Sequence, residues 1–417
     1  VTADLSHHRW ARLIPIVFVT YSLAYVDRAN FSLGVAGGMA RDLGISGQSL
    51  SLAAALFFLG YFMFQIPIAR LAERDAKRVM FWSMLLWGIS ACLTGLVHDI
   101  ALLYLVRFVL GVTESAVLPG MIIFLGRWFT APERSRANTF LILGNPITVL
   151  WMSILSGYLV RSLGWRGMFV AEGLPPILWA FVWWRMVENR PEQAAWMDTA
   201  ETSALDARLA QEQTTIAPVR NYAAAFASPI VLLLAAQYFC WSVGLYGFIL
   251  WLPSMLKAGT AIGIVAIGWL SAAPYLLAAI LMVASSFVSD RVLIRKPFVW
   301  LPLLIGTLAF YGSYELGSAN YWLSFALLVI AGGAMYAPYG PFFAFISENL
   351  PRNVAGGATA LINSAGALGS FAGSYAVGWL NAATGDTHLS YGLMAASLLL
   401  SALLMTMIRG NQTAAGR

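Results

Sequence analysis

The sequence predicts an all-α membrane protein of twelve transmembrane helices in two six-helix, pseudo-repeated halves, and three observations carry that prediction. Charged residues make up only 11% of the chain and hydrophobic ones 59%, whereas a soluble domain is about one-quarter charged. Twelve apolar runs reach the length of about 20 residues needed to cross the hydrocarbon core of a bilayer. Short motifs that follow the second and fourth runs return after the eighth and tenth at nearly one offset.

The runs lie near 11–37, 50–70, 79–97, 100–125, 138–160, 168–187, 229–255, 262–288, 298–316, 321–346, 355–380 and 389–408. The first follows Arg9 and Arg12 and is too long for a cleaved leader, so it is expected to remain in the mature protein. Short connections around His98 and Asp99, and at Gly317–Asn320, make their neighbours antiparallel hairpins. The fifth run carries Gly144, Asn145 and Pro146, and the tenth carries Gly332, Gly333, Pro338, Gly340 and Pro341. In the eleventh, Gly369 and Gly373 form a small-xxx-small pair, which serves either close packing or a hinge.

The polar stretch from Glu188 to Ser228 reads as a cytoplasmic linker with one surface helix around Leu205 and Leu209. The predicted domains are therefore a six-helix bundle at 1–187, the linker at 188–228 and a second bundle at 229–417. The repeat aligns RLAERDAKR at 70–78 with FVSDRVLIRK at 287–296, and so Glu73 and Arg74 with Asp290 and Arg291. TAPERSRA at 130–137 aligns with NLPRNVAG at 349–356, Pro132 matching Pro351. Such halves, with a site near the midplane between them, are the pattern of an alternating-access transporter.

With the N-terminus inside, 19 lysines and arginines fall on the cytoplasmic side and 4 on the outer side, so both termini are expected in the cytoplasm. The net charge of +6 sits in short connections, which suits anionic lipid and argues against nucleic acid as a partner. Cys92 and Cys240 lie in apolar runs without a framework. The only lysines are Lys77, Lys257 and Lys296 and no GK dipeptide occurs, which excludes a P-loop and ATP-driven transport by this chain. His7, His8, His98 and His388 have no metal-ligand spacing, so neither metal nor another cofactor is expected.

The chain's chemistry centres on YSLAYVDRANF at 21–31, which sets Asp27 beside Arg28 inside an apolar run. A charge at the bilayer centre costs at least ~2.5–3.5 kcal/mol, so both demand partners. The other deep charges are read as Arg107 and Glu114 in YLVRFVLGVTESAVLPG. Adjacent helical residues point about 100° apart, so Asp27 and Arg28 cannot satisfy one another. At 1.5 Å per residue Asp27 and Arg107 lie about 15 and 10 Å below the outer surface, which predicts an Asp27–Arg107 pair. Arg28 is left without a fixed countercharge. Its guanidinium fork suits a carboxylate substrate, a structural pair with Glu114 being the alternative.

Tyr21, Tyr25 and Arg28 share one helix face. Desolvation favours the neutral form of a carboxyl group, so Glu114 and Asp27 are the candidates for carrying protons, each with static pairing as its alternative. Tyr61, Gln65, Asn145, Asn363 and Ser364 lie at suitable depth to read substrate hydroxyls, or else to bond a neighbouring helix. Trp241, Tyr246, Trp251, Tyr336 and Tyr339 are aromatic candidates for the same space. No basic residue lies inside a span of the second half, which disfavours an exchanger of phosphate esters.

YVDRANF at 25–31, QIP at 65–67, RFVLGVTESAVLPG at 107–120 and WFTAPERSRA at 128–137 resemble the major facilitator superfamily, and within it the anion:cation symporter family of bacterial sugar-acid carriers. RLAERDAKR resembles a degenerate form of the superfamily's second-loop gating motif, with alanines at 69 and 76 and Glu73 in place of an aspartate. The resemblance implies carboxylate binding by Arg28 and proton coupling by Asp27 and Glu114. It makes Arg107 their charge partner and places Tyr61, Asn145 and Asn363 along a sugar-acid pocket. Asn145 stands where related galactonate carriers have glutamine. LILGNPITVLWMSILSGYLV and FVAEGLPPILWAF are most similar to carriers of 2-ketogluconate or rhamnonate.

The expectation is a monomeric bacterial inner-membrane symporter, not an enzyme, that imports a monocarboxylate sugar acid with protons as the coupling ion. The rival readings are a carrier of another organic anion (an aromatic acid, tartrate, a hexuronate or phosphate) with proton or sodium coupling, and a non-transporting receptor on the same scaffold.

Overall fold

Within lipid every backbone N–H and C=O must find its partner inside the protein, so apolar runs of this length are forced into helices. The computed structural model describes residues 8–214, 228–258, 262–292, 294–349, 352–385 and 388–408, and some side chains within those ranges are not described. The first half contains α1 (His8–Ala36), the short α2 (Met39–Leu43), α3 (Gly47–Leu96), α4 (Ile100–Glu114), α5 (Val117–Trp128) and α6 (Ala131–Met186). A 3-10 turn at Pro191–Gln193 and α7 (Thr199–Thr214) follow, the helix lying where Leu205 and Leu209 announced one. The second half contains α8 (Pro229–Ala258), α9 (Ile264–Val292), α10 (Pro297–Leu316), α11 (Tyr321–Tyr336), α12 (Tyr339–Asn349), α13 (Arg352–Thr384) and α14 (His388–Met407).

Helices and crossings do not correspond one to one. α3 holds two crossings that meet at Asp75, whose backbone leaves the helical region at φ −147° and ψ 85°. The Asp75 carboxylate accepts a hydrogen bond from the Arg78 backbone N–H at 3.0 Å, as the cap of the second limb. α6 likewise holds two crossings, joined at Gly164 with φ +69°, a left-handed conformation that favours glycine. Conversely, α4 and α5 share one crossing. The Ser115 hydroxyl donates to the Val112 carbonyl at 2.7 Å and perturbs the helix there. α11 and α12 share another, interrupted at Pro338, which has no N–H to offer. The two interruptions fall at matching places in the halves.

Eight segments among the described residues are long and apolar enough to cross a membrane, and two of them, within α3 and α6, hold a pair of crossings each. α1 and α13 complete the twelve. The first is diluted by Asp27 and Arg28, the second by its glycines, alanines and serines.

Glycines let the crossings touch at their backbones. A Cβ on Gly111 would collide with the Phe57 carbonyl oxygen, and one on Gly60 with the Phe108 carbonyl oxygen. The first limb of α3 therefore lies directly against α4. Gly369 and Gly373 do the same for α13, meeting the carbonyls of Phe239 and Val243 on α8. Close packing is thus the observed use of that pair. The halves meet where α13 packs on α3, α9 on α6 and α1 on α8. Several of these contacts lie toward the face opposite the N-terminus. Gly378 abuts Ser51 and Trp251, Gly268 lies against the Ser153 carbonyl, and the Lys257 ammonium donates to the Ala36 carbonyl.

At the N-terminal face, outside the crossings, Arg9 is fully buried and ties the segment after α6 to the first half. Its guanidinium lies 3.0 Å from Glu133 and 3.3 Å from Glu201 on α7, and it donates to the Trp128 carbonyl. Trp196 stacks on Trp128 at 5.6 Å, and Leu205 is fully buried. Partial burial pushes the Glu133 carboxyl up, but hydrogen bonds from the Thr130 N–H and hydroxyl, together with Arg9, outweigh it and hold the group below the ordinary carboxylate range.

Two outcomes follow from this packing. Gly111→Ala is expected to cost about 1–3 kcal/mol, because a rigid backbone carbonyl must move, and to lower the thermal midpoint of the solubilised protein. Since the folded value of Glu133 is depressed, its contribution is complete above the unfolded value near ~4.3 and is lost as pH falls through the folded one. Glu133→Gln should therefore flatten the acid limb of thermal midpoint against pH; an acid limb unchanged from wild type would count against the Arg9–Glu133 tie.

Candidate functional site

The spacing of Tyr21, Tyr25 and Arg28 places them on one face of α1, and there the site begins. The Tyr21 hydroxyl donates to the Tyr25 hydroxyl at 3.3 Å. The Arg28 guanidinium carbon lies 4.4 Å from the centre of the Tyr25 ring, 5.2 Å from Tyr61 and 5.5 Å from Phe57. Aromatic faces stabilise a desolvated cation by about 2 kcal/mol, so this cage offsets part of what burial costs. Across the junction of the halves, Tyr246 on α8 stacks edge-on against Phe58 at 4.7 Å and acts electrostatically on Arg28.

The countercharge is Glu114. Its carboxylate lies 3.3 Å from the Arg28 guanidinium and is completely buried, while Arg28 keeps about 9% of its side chain exposed. Neither Glu114 oxygen accepts a hydrogen bond with good geometry, and Arg28 Nε donates none. The pair is held by charge and not by a bidentate fork.

That arrangement overturns the pairing expected from depth. No ion pair joins Asp27 and Arg107 among the described residues; Asp27 instead accepts from the Asn30 amide at 3.2 Å. Arg107 is 1% exposed, lies 4.2 Å from the Phe31 ring and 5.2 Å from Phe57, and donates to the Ala53 carbonyl at 3.4 Å. It still acts electrostatically on Asp27 and Glu114. Depth along a helix supplies one coordinate of a side chain, and the direction around the axis supplies the other. Arg28 turns toward α3 and α4, and Asp27 turns toward α6.

The polar candidates divide. Gln65 and Ser364 come together across the two halves, the Ser364 hydroxyl donating to Gln65 Oε1 at 3.4 Å. Asn145 is 5% exposed with an oxygen that accepts no hydrogen bond, beside Gly144, whose backbone packs on Tyr21 and Ser22. Tyr336 is buried against Tyr275 and Tyr339 and falls within the field of Arg28. Asn363 is half-buried on α13.

The gating candidates are less engaged. Glu73 and Arg74 are exposed, and the bend near them is tied by Arg127, which donates to the Glu73 carbonyl and to Asn189 Oδ1 at 2.6 Å. Arg291 lies over the Phe287 ring at 4.3 Å, and the side chain of Asp290 lies outside the described residues.

Sequence reasoning missed Glu172, which is 4% exposed on the second limb of α6 and accepts from the Ser156 hydroxyl at 2.5 Å. Its signal was present: an acid in the middle of FVAEGLPPILWAF breaks an apolar run as plainly as Glu114 does. Phe31 and Phe57, which hold the two arginines, carried no signal that distinguished them from the other 22 phenylalanines.

A family model for the Major Facilitator Superfamily matches residues 17–374 and 256–415. A relative from Agrobacterium vitis carrying the name of a tartrate transporter is 29% identical over 401 residues, covering 94% of this chain and 88% of its own. A quinolone resistance transporter of Acinetobacter baumannii is 30% identical over 408 residues, covering 95% and 93%. Among solved structures, the inward-open conformation of the xylose transporter XylE from E. coli superimposes with a TM-score of 0.78 at 15% identity, covering 97% of this chain and 98% of that one.

Proposed function

The chain belongs to the Major Facilitator Superfamily of membrane transporters, and from that premise we propose that it is a proton-coupled symporter importing a monocarboxylate sugar acid of the 2-ketogluconate or aldonate type. The observation that carries this reading is the Arg28–Glu114 pair: a cation between the halves, faced by one acid through a single 3.3 Å contact and not a two-pronged fork. A proton on Glu114 removes the countercharge. The guanidinium fork is then free for a substrate carboxylate, which it holds with two parallel, charge-assisted hydrogen bonds. Asp27, beside Arg28, is the second candidate carrier. Gln65, Ser364, Asn145, Asn363 and Tyr336 supply hydroxyl-reading groups around this anchor. The excess of Lys and Arg in the connections supports an inner-membrane location with both termini cytoplasmic.

Arg28 is the one arginine of the site open to an anion, because Arg107 is sealed under Phe31 and Phe57. A single accessible cation favours a monocarboxylate over a dicarboxylate such as the cargo named for the Agrobacterium relative. A second reading, an aromatic monocarboxylate, is favoured by Tyr25 and Tyr61, whose rings lie against the same guanidinium. A thermal-shift screen against sugar acids and aromatic acids separates the two.

Reconstituted protein should accumulate radiolabelled 2-ketogluconate under an inward proton gradient, and a protonophore should abolish that accumulation. Retention of uptake with sodium as the sole gradient would reject proton coupling. Glu114→Gln is expected to lose gradient-driven uptake while keeping counterflow exchange; concentrative uptake at the wild-type level would reject its coupling role. Arg28→Lys keeps the charge and loses the fork, and should weaken substrate binding about tenfold or more. Unchanged affinity in that variant would argue against direct carboxylate contact.

A further inference from the structure

A third acid lies beyond the Arg28–Glu114 pair. Glu172 is nine-tenths buried, comes from the limb of α6 that descends from Gly164, and sits against Ser156 on the other limb and Asn30 on α1. Asn30 is the link to the site already described: its amide donates to Asp27 and also interacts with the Glu172 carboxyl. The four side chains form a buried chain, Ser156–Glu172–Asn30–Asp27, in which every residue is at most 5% exposed.

The chain is short of hydrogens. Ser156 gives its single hydroxyl hydrogen to Glu172 Oε1, and the Asn30 amide serves Asp27 Oδ1. Glu172 Oε2, Asp27 Oδ2 and Asn30 Oδ1 have no donor in good hydrogen-bond geometry. Three orphaned acceptors in one buried cluster are costly, and an orphaned oxygen of an ionised carboxylate most of all. One added proton turns a carboxylate oxygen into a donor and leaves Asn30 Oδ1 as an acceptor within the same cluster.

The surrounding charges are uneven. Arg107 and Arg28 act on Asp27, whereas no cation acts on Glu172 among the described residues, and its one charged neighbour is Asp27 itself. From the second limb of α3, Cys92 directs its thiol to the Val170 carbonyl at 3.6 Å and also feels Asp27. The residues of α9 packed on the first limb of α6, at Gly268 and nearby, carry no charge. Two carboxylates that share a buried site do not both ionise freely.

We propose that Glu172, Asn30 and Asp27 form a second proton-binding site, separate from Glu114, in which Glu172 holds the proton and Asn30 couples it to Asp27. The inference rests on the proton-coupled reading above and adds a residue to it. A proton bound at Glu172 neutralises the carboxylate, and it leaves as hydronium when the site opens to water. While Glu172 holds it, the Asn30 amide stays with Asp27, which remains ionised beside Arg28.

Infrared difference spectroscopy of the full chain in lipid nanodiscs, taken between acidic and alkaline pH without substrate, reads protonated carboxyl groups directly. Wild type should show a buried protonated-carboxyl band that Glu172→Gln removes and Asp27→Asn shifts in frequency. A Glu172→Gln spectrum identical to wild type overturns the proposal. Should that variant fail to fold, Ser156→Ala decides: it keeps the acid but removes its hydroxyl donor, so the band must shift, and an unmoved band is equally fatal. In transport, Glu172→Gln should displace the pH profile of 2-ketogluconate uptake while counterflow persists, and a profile superimposable on wild type overturns its part in coupling. Failure of the symport reading is distinguishable, because it would appear as protonophore-insensitive uptake by the wild type with the carboxyl band still in place.

Discussion

A charge inside lipid must be met by something, and that constraint organises the first half of this transporter. Four of its deep charges (Asp27, Arg28, Arg107 and Glu114) come from two crossings, α1 and α4, which cannot serve one another unless the crossing between them permits it. Gly60 and Gly111 grant that permission. By letting α3 and α4 touch at their backbones, they bring Phe57 between the two arginines and Glu114 to within 3.3 Å of Arg28. The glycines and the ion pair are thus one feature seen at two levels. The sequence spends two small residues on packing so that a buried cation obtains a partner.

The quality of that pair bears on what it is for. A buried ion pair is weak as a source of stability, because desolvating two ions takes back most of the Coulombic gain unless hydrogen bonds complete the geometry. Here they do not, since both Glu114 oxygens lack a proper donor and Arg28 Nε lacks an acceptor. Rings at 4.4 to 5.5 Å supply the rest of the cation's environment, and a ring face keeps its attraction whether or not the acid is charged. Arg107 stands in contrast, fixed by a carbonyl and two rings with no exposed edge. One arginine is built in and the other is only lent to its acid. This is the arrangement expected of a group whose partner changes during a cycle.

The sequence revealed the fold more completely than the site. Apolar length alone located the crossings, because apolar runs of this length leave the backbone in lipid no alternative to helix. Gly369 and Gly373 signalled close packing or a hinge, and only the structure showed packing, with α8 as the partner. Depth failed for the charges, since 1.5 Å per residue ranks residues along the membrane normal and says nothing of their direction around the axis. Asp27 and Arg28 differ by one step in depth and about 100° in direction, and the second difference decided their partners. Glu172 escaped for another reason. Its neighbours in FVAEGLPP are small and apolar, and its hydroxyl partner Ser156 belongs to the limb across Gly164, a contact that no short window of sequence displays.

The distribution of chemistry between the halves carries the last step. Every charge deep in a crossing among the described residues belongs to the first half, while the second brings tyrosines, glycines and serines to the junction. Beside the charged hydrogen bond from Lys257 to the Ala36 carbonyl, rocking must break neutral contacts. Those between Gln65 and Ser364 at 3.4 Å, and between Gly268 and the Ser153 carbonyl, are of that kind, and each neutral hydrogen bond contributes only about 1 kcal/mol. A ligand shifts a two-state equilibrium by no more than its preference for one state over the other, so a low barrier of neutral contacts suits a modest preference. On the proposed reading, the first half, with its deep charges, decides whether the site is loaded, and the second half, with none deep in its described crossings, decides which face of the membrane it sees.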